Sequence, residues 1–120
     1  MPDRDRRGAE KRGRRAETLA VWWLRAKGYT ILAQRFKRPV GEIDIIARKG
    51  QTVVFIEVKQ RPRLEMAQNA VPDRAWRRIA RAAEIWATTS ASAHNLAWRF
   101  DLIAVPLKGF PKHFRDYWRP

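Results

Sequence analysis

The sequence predicts a single α/β domain in which a central mixed β-sheet is flanked by helices. A length of 120 residues and an apolar content of 45% suit one domain with a modest core. The patterns of apolar residues predict elements in the order helix, three strands, helix, strand. No internal repeat or low-complexity tract interrupts them, and this order favours a mixed sheet covered by helices.

The chain opens with a basic head that leads into the first predicted helix. Residues 1–12 are highly charged, and we expect a flexible basic arm that contacts phosphates or is simply a solvated tail. From Gly13 to Lys27, apolar residues recur at helical spacing, and Gly28 then favours a helix end. The residues expected on the buried face are Ala16, Leu19, Ala20, Trp23 and Leu24.

Strand patterns follow this helix. The segment YTILAQRF, residues 29–36, is rich in β-formers and ends shortly before Pro39. Residues 41–61, GEIDIIARKGQTVVFIEVKQR, predict two strands joined by a tight turn at Gly50 and Gln51. The next segment, PRLEMAQNAV, has no clear period, so we expect a loop that is either mobile over a site or a plain linker.

A second helix and a last strand complete the predicted core domain, residues 13–105. Helical spacing over residues 72–91 gives a buried side made of Ala75, Ile79, Ala82, Ala83 and Trp86. LAWRFDLIAV, residues 96–105, predicts the strand. In the tail, residues 106–120, Phe110, Phe114 and Trp118 recur every four residues and predict a helical face. We expect it to dock onto the domain, or onto a second copy in a homodimer, in preference to stacking on bases.

The composition favours a nucleic-acid partner. The chain has 26 Lys and Arg against 12 Asp and Glu, which gives a formal net charge of +14. An excess of this size is typical of proteins that bind polyanions. An anionic membrane surface or a protein partner is the alternative.

Cysteine usage and hydropathy exclude several other classes. The chain has no cysteine, which excludes disulfides and thiolate zinc sites, and its two histidines, His94 and His113, are too isolated for a zinc cage. The first residues lack the apolar core of a signal peptide, and no apolar run is long enough to span a membrane. We therefore expect a soluble, cytoplasmic protein.

The hairpin places acidic residues among apolar ones. If Gly50 and Gln51 form a two-residue turn, Asp44 lies opposite Glu57, and Glu42 lies opposite Lys59. Opposed side chains have Cβ atoms about 4.5–5.5 Å apart, so two carboxylates there repel each other unless a cation lies between them. Mg²⁺ suits such a pair, since it binds carboxylates together with water and phosphate oxygens. Alternatively, Lys59 and nearby arginines neutralise both acids, or the face is solvated.

Four segments in order, GRRAETLAVWWLRAKGYTIL, GEIDIIA, VFIEVKQR and RFDLIAV, resemble the YraN-type family of predicted nucleases. That family is related in fold to Holliday-junction resolvases and to the PD-(D/E)XK superfamily, whose motif matches Asp44 and Glu57-Val58-Lys59 here. The resemblance covers about Gly13 to Val105 and implies a restriction-endonuclease-like core. One departure is Ala75, where the family usually has a lysine, so that any phosphate contact there falls to the neighbouring arginines.

The resemblance also implies roles for individual residues. Asp44 and Glu57, with the Val58 carbonyl, would bind Mg²⁺ or Mn²⁺, and Lys59 would orient the attacking water and stabilise charge on the phosphate. Glu17 resembles the helix acid that completes such sites, or it is an exposed residue paired with local arginines. Glu42 is expected to support the site from opposite Lys59. Asp101 is expected to be structural, paired with Arg99 or a nearby loop.

Two further groups of side chains are candidate DNA contacts. A row of arginines at helical spacing on the second helix would contact phosphates without reading bases, unless it is a solvated face. The row consists of Arg74, Arg77, Arg78 and Arg81. Among the tryptophans, Trp22, Trp76 and Trp118 are candidates to stack on unpaired bases, although core packing is favoured for most of them.

These features predict a metal-dependent nuclease that cuts structured DNA. The alternative is a non-catalytic nucleic-acid-binding module with the same fold, and a third reading is a basic protein-interaction subunit. Retention of Asp44, Glu57 and Lys59 favours the enzyme, because a protein that only binds DNA gains affinity by losing acids next to phosphates.

Overall fold

The structure, a computed structural model, describes residues 2–90, 93 and 95–120, with side chains described from residue 13 onward. It is a mixed α/β fold with a five-stranded sheet in the order β1-β2-β3-β4-β5, which confirms the predicted fold class. Within the described residues, no helix is long and apolar enough to cross a membrane. The elements are α1 (Pro2–Ala26), β1 (Thr30–Arg38), β2 (Gly41–Lys49), β3 (Thr52–Gln60), α2 (Leu64–Gln68), α3 (Asp73–Thr89), β4 (Ala97–Val105) and β5 (Lys112–Trp118).

The sheet is antiparallel except where α2 and α3 connect β3 to β4, which run parallel. A parallel pair needs such a crossover, because the chain must return to the same end of the sheet. Each face of the sheet has its own core. On one face, α1 packs through Ala16, Ala20 and Leu24. On the other, α3 packs through Trp76, Ile79 and Ala83.

The β2–β3 hairpin has the predicted turn and register. Lys49 pairs with Thr52 across Gly50 and Gln51, and Gly50 has a φ of 60°. A positive φ at the first turn residue is the reason that this hairpin requires glycine there. The pairing continues to Ile45 and Ile56. Asp44 and Glu57 come directly after this last pair, and their side chains lie close together, as the sequence predicted.

Helix α1 starts earlier than predicted, at Pro2 rather than near Gly13. Residues 2–12, which the sequence assigned to a flexible arm, therefore belong to a helix. Their composition allows this, because Arg, Lys, Glu and Ala favour helices and proline is accepted in a first turn. Leu19, expected on the buried face, is 42% exposed, whereas Val21 is buried.

Two other expectations about secondary structure are wrong. The predicted loop after β3 contains α2, whose residues Leu64 to Gln68 all have good helix propensity and bury Ala67. The tail forms the edge strand β5, paired antiparallel with β4, instead of a helical face. The tail thus docks onto the domain by joining its sheet, while association of two copies stays a prediction.

Candidate active site

The opposed acids form a close pair where β2 and β3 stop pairing. Asp44 Oδ2 accepts a hydrogen bond of 2.8 Å from the backbone N–H of Val58, and the Asp44 and Glu57 carboxyl groups are close enough to shift each other's pKa. Glu57 has a side chain only 12% exposed. Two carboxylates this close repel each other, so the pair resists carrying two negative charges.

Burial and mutual repulsion both disfavour negative charge here. Loss of hydration raises the pKa of Glu57 to about 8, and the charge of Asp44 adds to this shift. Burial likewise raises the pKa of Asp44, against the hydrogen bond from Val58. The charge of Glu17 raises it further. A cation between the acids would oppose both shifts, because it favours the charged forms of the two carboxyl groups.

Lys59 supplies the positive charge closest to the pair. Its Nζ lies 3.4 Å from Glu57 Oε1, so one cation faces two carboxyl groups. Of the cations that the sequence offered to neutralise the acids, Lys59 is thus the one in contact with Glu57 among the described ion pairs. Glu42, expected opposite Lys59, is exposed and has its Oε1 3.9 Å from Lys37 Nζ.

Glu57 and Lys59 line an open cleft of about 500 Å³ between the sheet and the start of α3. The segment Ala70–Pro72 lines its far side. Four further cations line the same cleft: Lys37, Arg38, Arg74 and Arg78. A cleft that contains both cations and recessed acids can bind an anion and a metal ion together. The anion is attracted by the cations and the metal ion by the acids, and the two bound charges offset each other.

Gly41 allows α3 to reach this position. A Cβ on Gly41 would clash with the backbone carbonyl of Arg78, so only glycine permits this approach. Arg78 Nε also donates a hydrogen bond of 3.1 Å to the carbonyl of Val40. These contacts hold the first half of α3 against the start of β2, and they bring Ala75 and its arginine neighbours to the cleft.

The arginine row divides into two pairs. Arg74 and Arg78 line the cleft, where the neighbours of Ala75 were expected to contact phosphate. Arg77 instead lies 2.6 Å from Asp73 Oδ2 in an exposed ion pair, and Arg81 is exposed outside the cleft. Only half of the predicted row therefore lies beside the acid pair.

Glu17 is half-buried and pairs with an arginine, and its role in completing the site stays a prediction. It accepts a hydrogen bond of 2.8 Å from Arg35 Nε, and its charge is close enough to raise the pKa of Asp44. With Arg14, Lys37 and others it lines a second cavity of about 320 Å³. Lys37 and Glu42 line both cavities, so the two openings are neighbours.

The donor set suits a hard divalent cation. Within the residues that the structure describes, no group of three or more His, Cys, Asp or Glu side chains forms a metal cluster. Asp44 and Glu57 are two neighbouring carboxyl groups that repel each other when both are charged, and a cation would offset this repulsion. Mg²⁺ commonly uses one or two carboxylates and completes its sphere with water and phosphate oxygens. The cleft leaves room for both.

Sequence reasoning missed the cations of β1. Arg35, Lys37 and Arg38 were not singled out, yet they contact Glu17, Glu42 or the cleft. The signal available was a basic run, RFKR, on the strand immediately before the acidic one. Neighbouring strands in a chain usually pair, which would have brought this run to the acids.

The remaining predicted residues have structural roles or lie apart. Asp101 is fully buried and accepts hydrogen bonds from Arg99, His113 and the backbone N–H of Asp116, which confirms its structural role. Trp76 is buried and cannot stack on a base.

Trp118 and Trp22 are the other two tryptophans that the sequence suggested could stack on unpaired bases. Trp118 stacks on Trp76, and its indole N–H donates a hydrogen bond of 2.8 Å to Asp73. Trp22 is 65% exposed, so its stacking stays a prediction.

Comparison with known proteins shows which protein family the chain matches. The profile described as "Uncharacterised protein family UPF0102" matches residues 16–105. A UPF0102 protein of Maricaulis maris is 47% identical over 117 residues, covering 98% of this chain and 92% of its own length. One from Chelativorans sp. is 47% identical over 111 residues, covering 92% and 90%, and one from Sphingopyxis alaskensis is 44% identical over 115 residues, covering 96% and 98%.

Proposed function

The chain belongs to the uncharacterised protein family UPF0102, and we propose that it is a metal-dependent nuclease that hydrolyses phosphodiester bonds in structured DNA. One observation carries the proposal: Glu57 and Lys59 line a cleft together with four further cations, and the half-buried Asp44 lies close enough to raise the pKa of Glu57. The matching motif of YraN-type and PD-(D/E)XK nucleases supports the same chemistry. A soluble, cytoplasmic setting is part of this proposal.

The charges of the cleft suit a phosphodiester substrate. Arg38, Arg74 and Arg78 provide positive charge for phosphate oxygens, and arginine can bind these oxygens through two parallel hydrogen bonds. Asp44 and Glu57 would repel the same phosphates. A divalent cation resolves this conflict, because it binds carboxylate and phosphate oxygens together.

Each residue has a distinct role in this proposal. Asp44 and Glu57 would hold Mg²⁺ or Mn²⁺, with the Val58 carbonyl as a further ligand. The ion supplies Lewis acidity and lowers the pKa of bound water. Lys59 orients the water and stabilises the negative charge that grows on the phosphate. Glu17 lies close enough to support the pair, and Glu42 lines the entrance.

A cleavage assay tests the proposal. The purified protein is incubated with duplex, flap, four-way-junction and single-stranded DNA in Mg²⁺ or Mn²⁺, beside Asp44→Asn and the exposed control Glu84→Gln. We expect cleavage of at least one branched substrate by the parent and the control, and none by Asp44→Asn. If the parent cuts no DNA form with either ion, the hydrolytic proposal is wrong.

A non-catalytic nucleic-acid-binding module is the second candidate. The observation that favours it is the half-buried position of Glu57 beside Asp44, which raises the pKa of Glu57 to about 8 and lowers the charge that the acids present to a phosphate at neutral pH. Glu57→Gln distinguishes the two candidates. In EDTA, we expect it to bind DNA as well as the parent or better, because glutamine also removes the remaining partial charge. Cleavage by the parent that Glu57→Gln abolishes identifies the enzyme.

A further inference from the structure

Three cations gather at the end of the sheet remote from the acid pair. Lys27 follows α1, Lys49 ends β2, and Arg115 is on β5. Lys27 Nζ lies 3.4 Å from Nδ1 of His113, whose ring centroid is 5.7 Å from that of Tyr29. Lys49 Nζ lies 5.1 Å from the Tyr29 ring centroid. Tyr29 and His113 thus bring cations from separate elements into one patch.

The positive charges of this patch have no carboxylate partners in the described part of the chain. None of Lys27, Lys49 and Arg115 forms an ion pair with a carboxylate there. Asp101 lies nearby but is occupied by its own donors. Burial lowers the pKa of Lys27, and repulsion by Arg115 and Lys49 lowers it further. An anionic ligand would relieve this repulsion.

An exposed aromatic ring lies beside the cations. Phe110, in the loop between β4 and β5, is 79% exposed. It stacks on Trp23 of α1 with ring centroids 5.9 Å apart and an angle of 27° between the planes. Lys27 Nζ lies 5.4 Å from the same Trp23 ring. Since Trp23 supports one face of the Phe110 ring, the ring presents a planar apolar surface next to the positive charge.

We propose that this platform, formed by Trp23, Lys27, Lys49, Phe110 and Arg115, binds single-stranded nucleic acid. The cations bind phosphates and a base stacks on Phe110. An aromatic surface among cations is what sequence-tolerant single-strand binding requires, whereas the bases of a duplex are already stacked on one another. A second copy of the chain fits less well, because each carries a net charge of +14. The inference extends the proposed nucleic-acid binding and is independent of hydrolysis.

Metal-free binding measurements test the stacking contact. Fluorescence anisotropy in EDTA compares a labelled oligothymidine strand with a duplex of equal length. Removing one base-stacking aromatic typically costs about 1–3 kcal/mol, so we expect Phe110→Ala to weaken single-strand binding by about 5- to 150-fold and to leave duplex binding unchanged. Phe110→Trp keeps a stacking ring and should bind like the parent. Leu107→Ala is the matched control, since Leu107 is 60% exposed in the same loop.

The salt dependence tests the cations. Each phosphate contact to a single strand contributes about 0.7 to the slope of log affinity against log salt. Lys49→Ala and Arg115→Ala should each lower the slope by about that amount. Arg63→Ala, which removes an exposed residue paired with Glu65, should leave it unchanged.

Several outcomes would overturn the platform. Parent-like single-strand binding by Phe110→Ala, or an equal loss of duplex affinity, rules out base stacking. Tighter binding of a poly-glutamate chain that depends on Phe110 would identify an acidic protein segment as the ligand instead. Because cleavage is never measured, these results stand apart from the success or failure of the proposed nuclease activity.

Discussion

Replacing Glu57 with glutamine should stabilise the metal-free protein at neutral pH. Burial and the charge of Asp44 raise the pKa of Glu57 to about 8, from 4.5 in an unfolded chain. Glutamine has nearly the shape of the protonated acid and can still donate a hydrogen bond to Asp44. It needs no proton, so the variant avoids the cost of keeping this side chain protonated at a pH at which the unfolded chain would ionise it.

The magnitude follows from proton linkage. Because the raised pKa makes the folded protein bind the proton more tightly than the unfolded chain, stability falls as pH rises from about 4.5 to about 8. A pH of 7 lies 2.5 pH units above the unfolded pKa of 4.5. Each unit lowers the free energy of unfolding by about 1.36 kcal/mol, so the loss at pH 7 is about 3 kcal/mol. Glu57→Gln should recover a gain of this order at pH 7 and almost none at pH 4.

Urea unfolding in EDTA across pH 4–8 measures this effect. The parent should lose stability over that range, whereas Glu57→Gln should lose less. Glu84→Gln, which changes an exposed carboxylate on α3, should follow the parent at every pH. Equal stability of parent and Glu57→Gln at pH 7 would refute the reasoning that charge at this site is costly.

Adding metal narrows the difference in stability between the parent and Glu57→Gln if the acids bind it. A ligand that binds only the folded state adds about 2.7 kcal/mol at a concentration one hundred times its Kd. Mg²⁺ or Mn²⁺ should therefore stabilise the parent and leave Glu57→Gln unchanged. Equal stabilisation of both proteins would indicate a cation site elsewhere.

Three other predictions follow from the geometry. Lys59→Ala should leave DNA affinity in EDTA within a few-fold while lowering the cleavage rate about 100- to 1,000-fold, because its charge acts mainly in the transition state. Asp101→Asn should lower the free energy of unfolding by about 3–5 kcal/mol at pH 7, and by less in acid, because the lowered pKa of Asp101 means that its stabilisation is lost as pH falls; urea titration checks both values. Arg74→Ala, inside the cleft, should weaken duplex binding more than Arg77→Ala, as anisotropy in EDTA can measure.

The acid pair was predictable because its geometry is local. A two-residue turn fixes the register of a hairpin, and the alternation of side chains fixes which of them share a face. Asp44 and Glu57 therefore follow from Gly50 without knowledge of any other element. Asp44 and Glu57 directly follow the last pair, Ile45 and Ile56, whereas Glu42 and Lys59 lie three residues beyond it, and for them the same reasoning failed. Lys59 contacts Glu57 and Glu42 approaches Lys37 instead.

Longer-range features were not predictable in the same way. Phe110, Phe114 and Trp118 recur every four residues, and this spacing also places side chains on one face of a strand, because four is a multiple of two. Only pairing with β4 decides between the two structures. Likewise, the cleft depends on the close approach of α3 to Gly41, a contact between segments far apart in sequence.

The buried Asp101 and the half-buried acid pair lie in one sheet and have opposite electrostatics, and the contrast bears on function. At Asp101, burial opposes the charge, but His113, Arg99 and the Asp116 N–H donate hydrogen bonds and lower the pKa. At Glu57, burial and a second carboxylate act together, and Lys59 does not offset them.

A carboxylate saturated by donors from its own chain has no capacity left for a ligand, so Asp101 stabilises the fold. The acid pair has one backbone donor and one lysine for two carboxyl groups, at the edge of an open basic cleft. A bound cation would offset the repulsion between its two carboxyl groups and favour their charged forms. This difference in donor supply makes the acid pair, and not Asp101, the centre of the proposed chemistry.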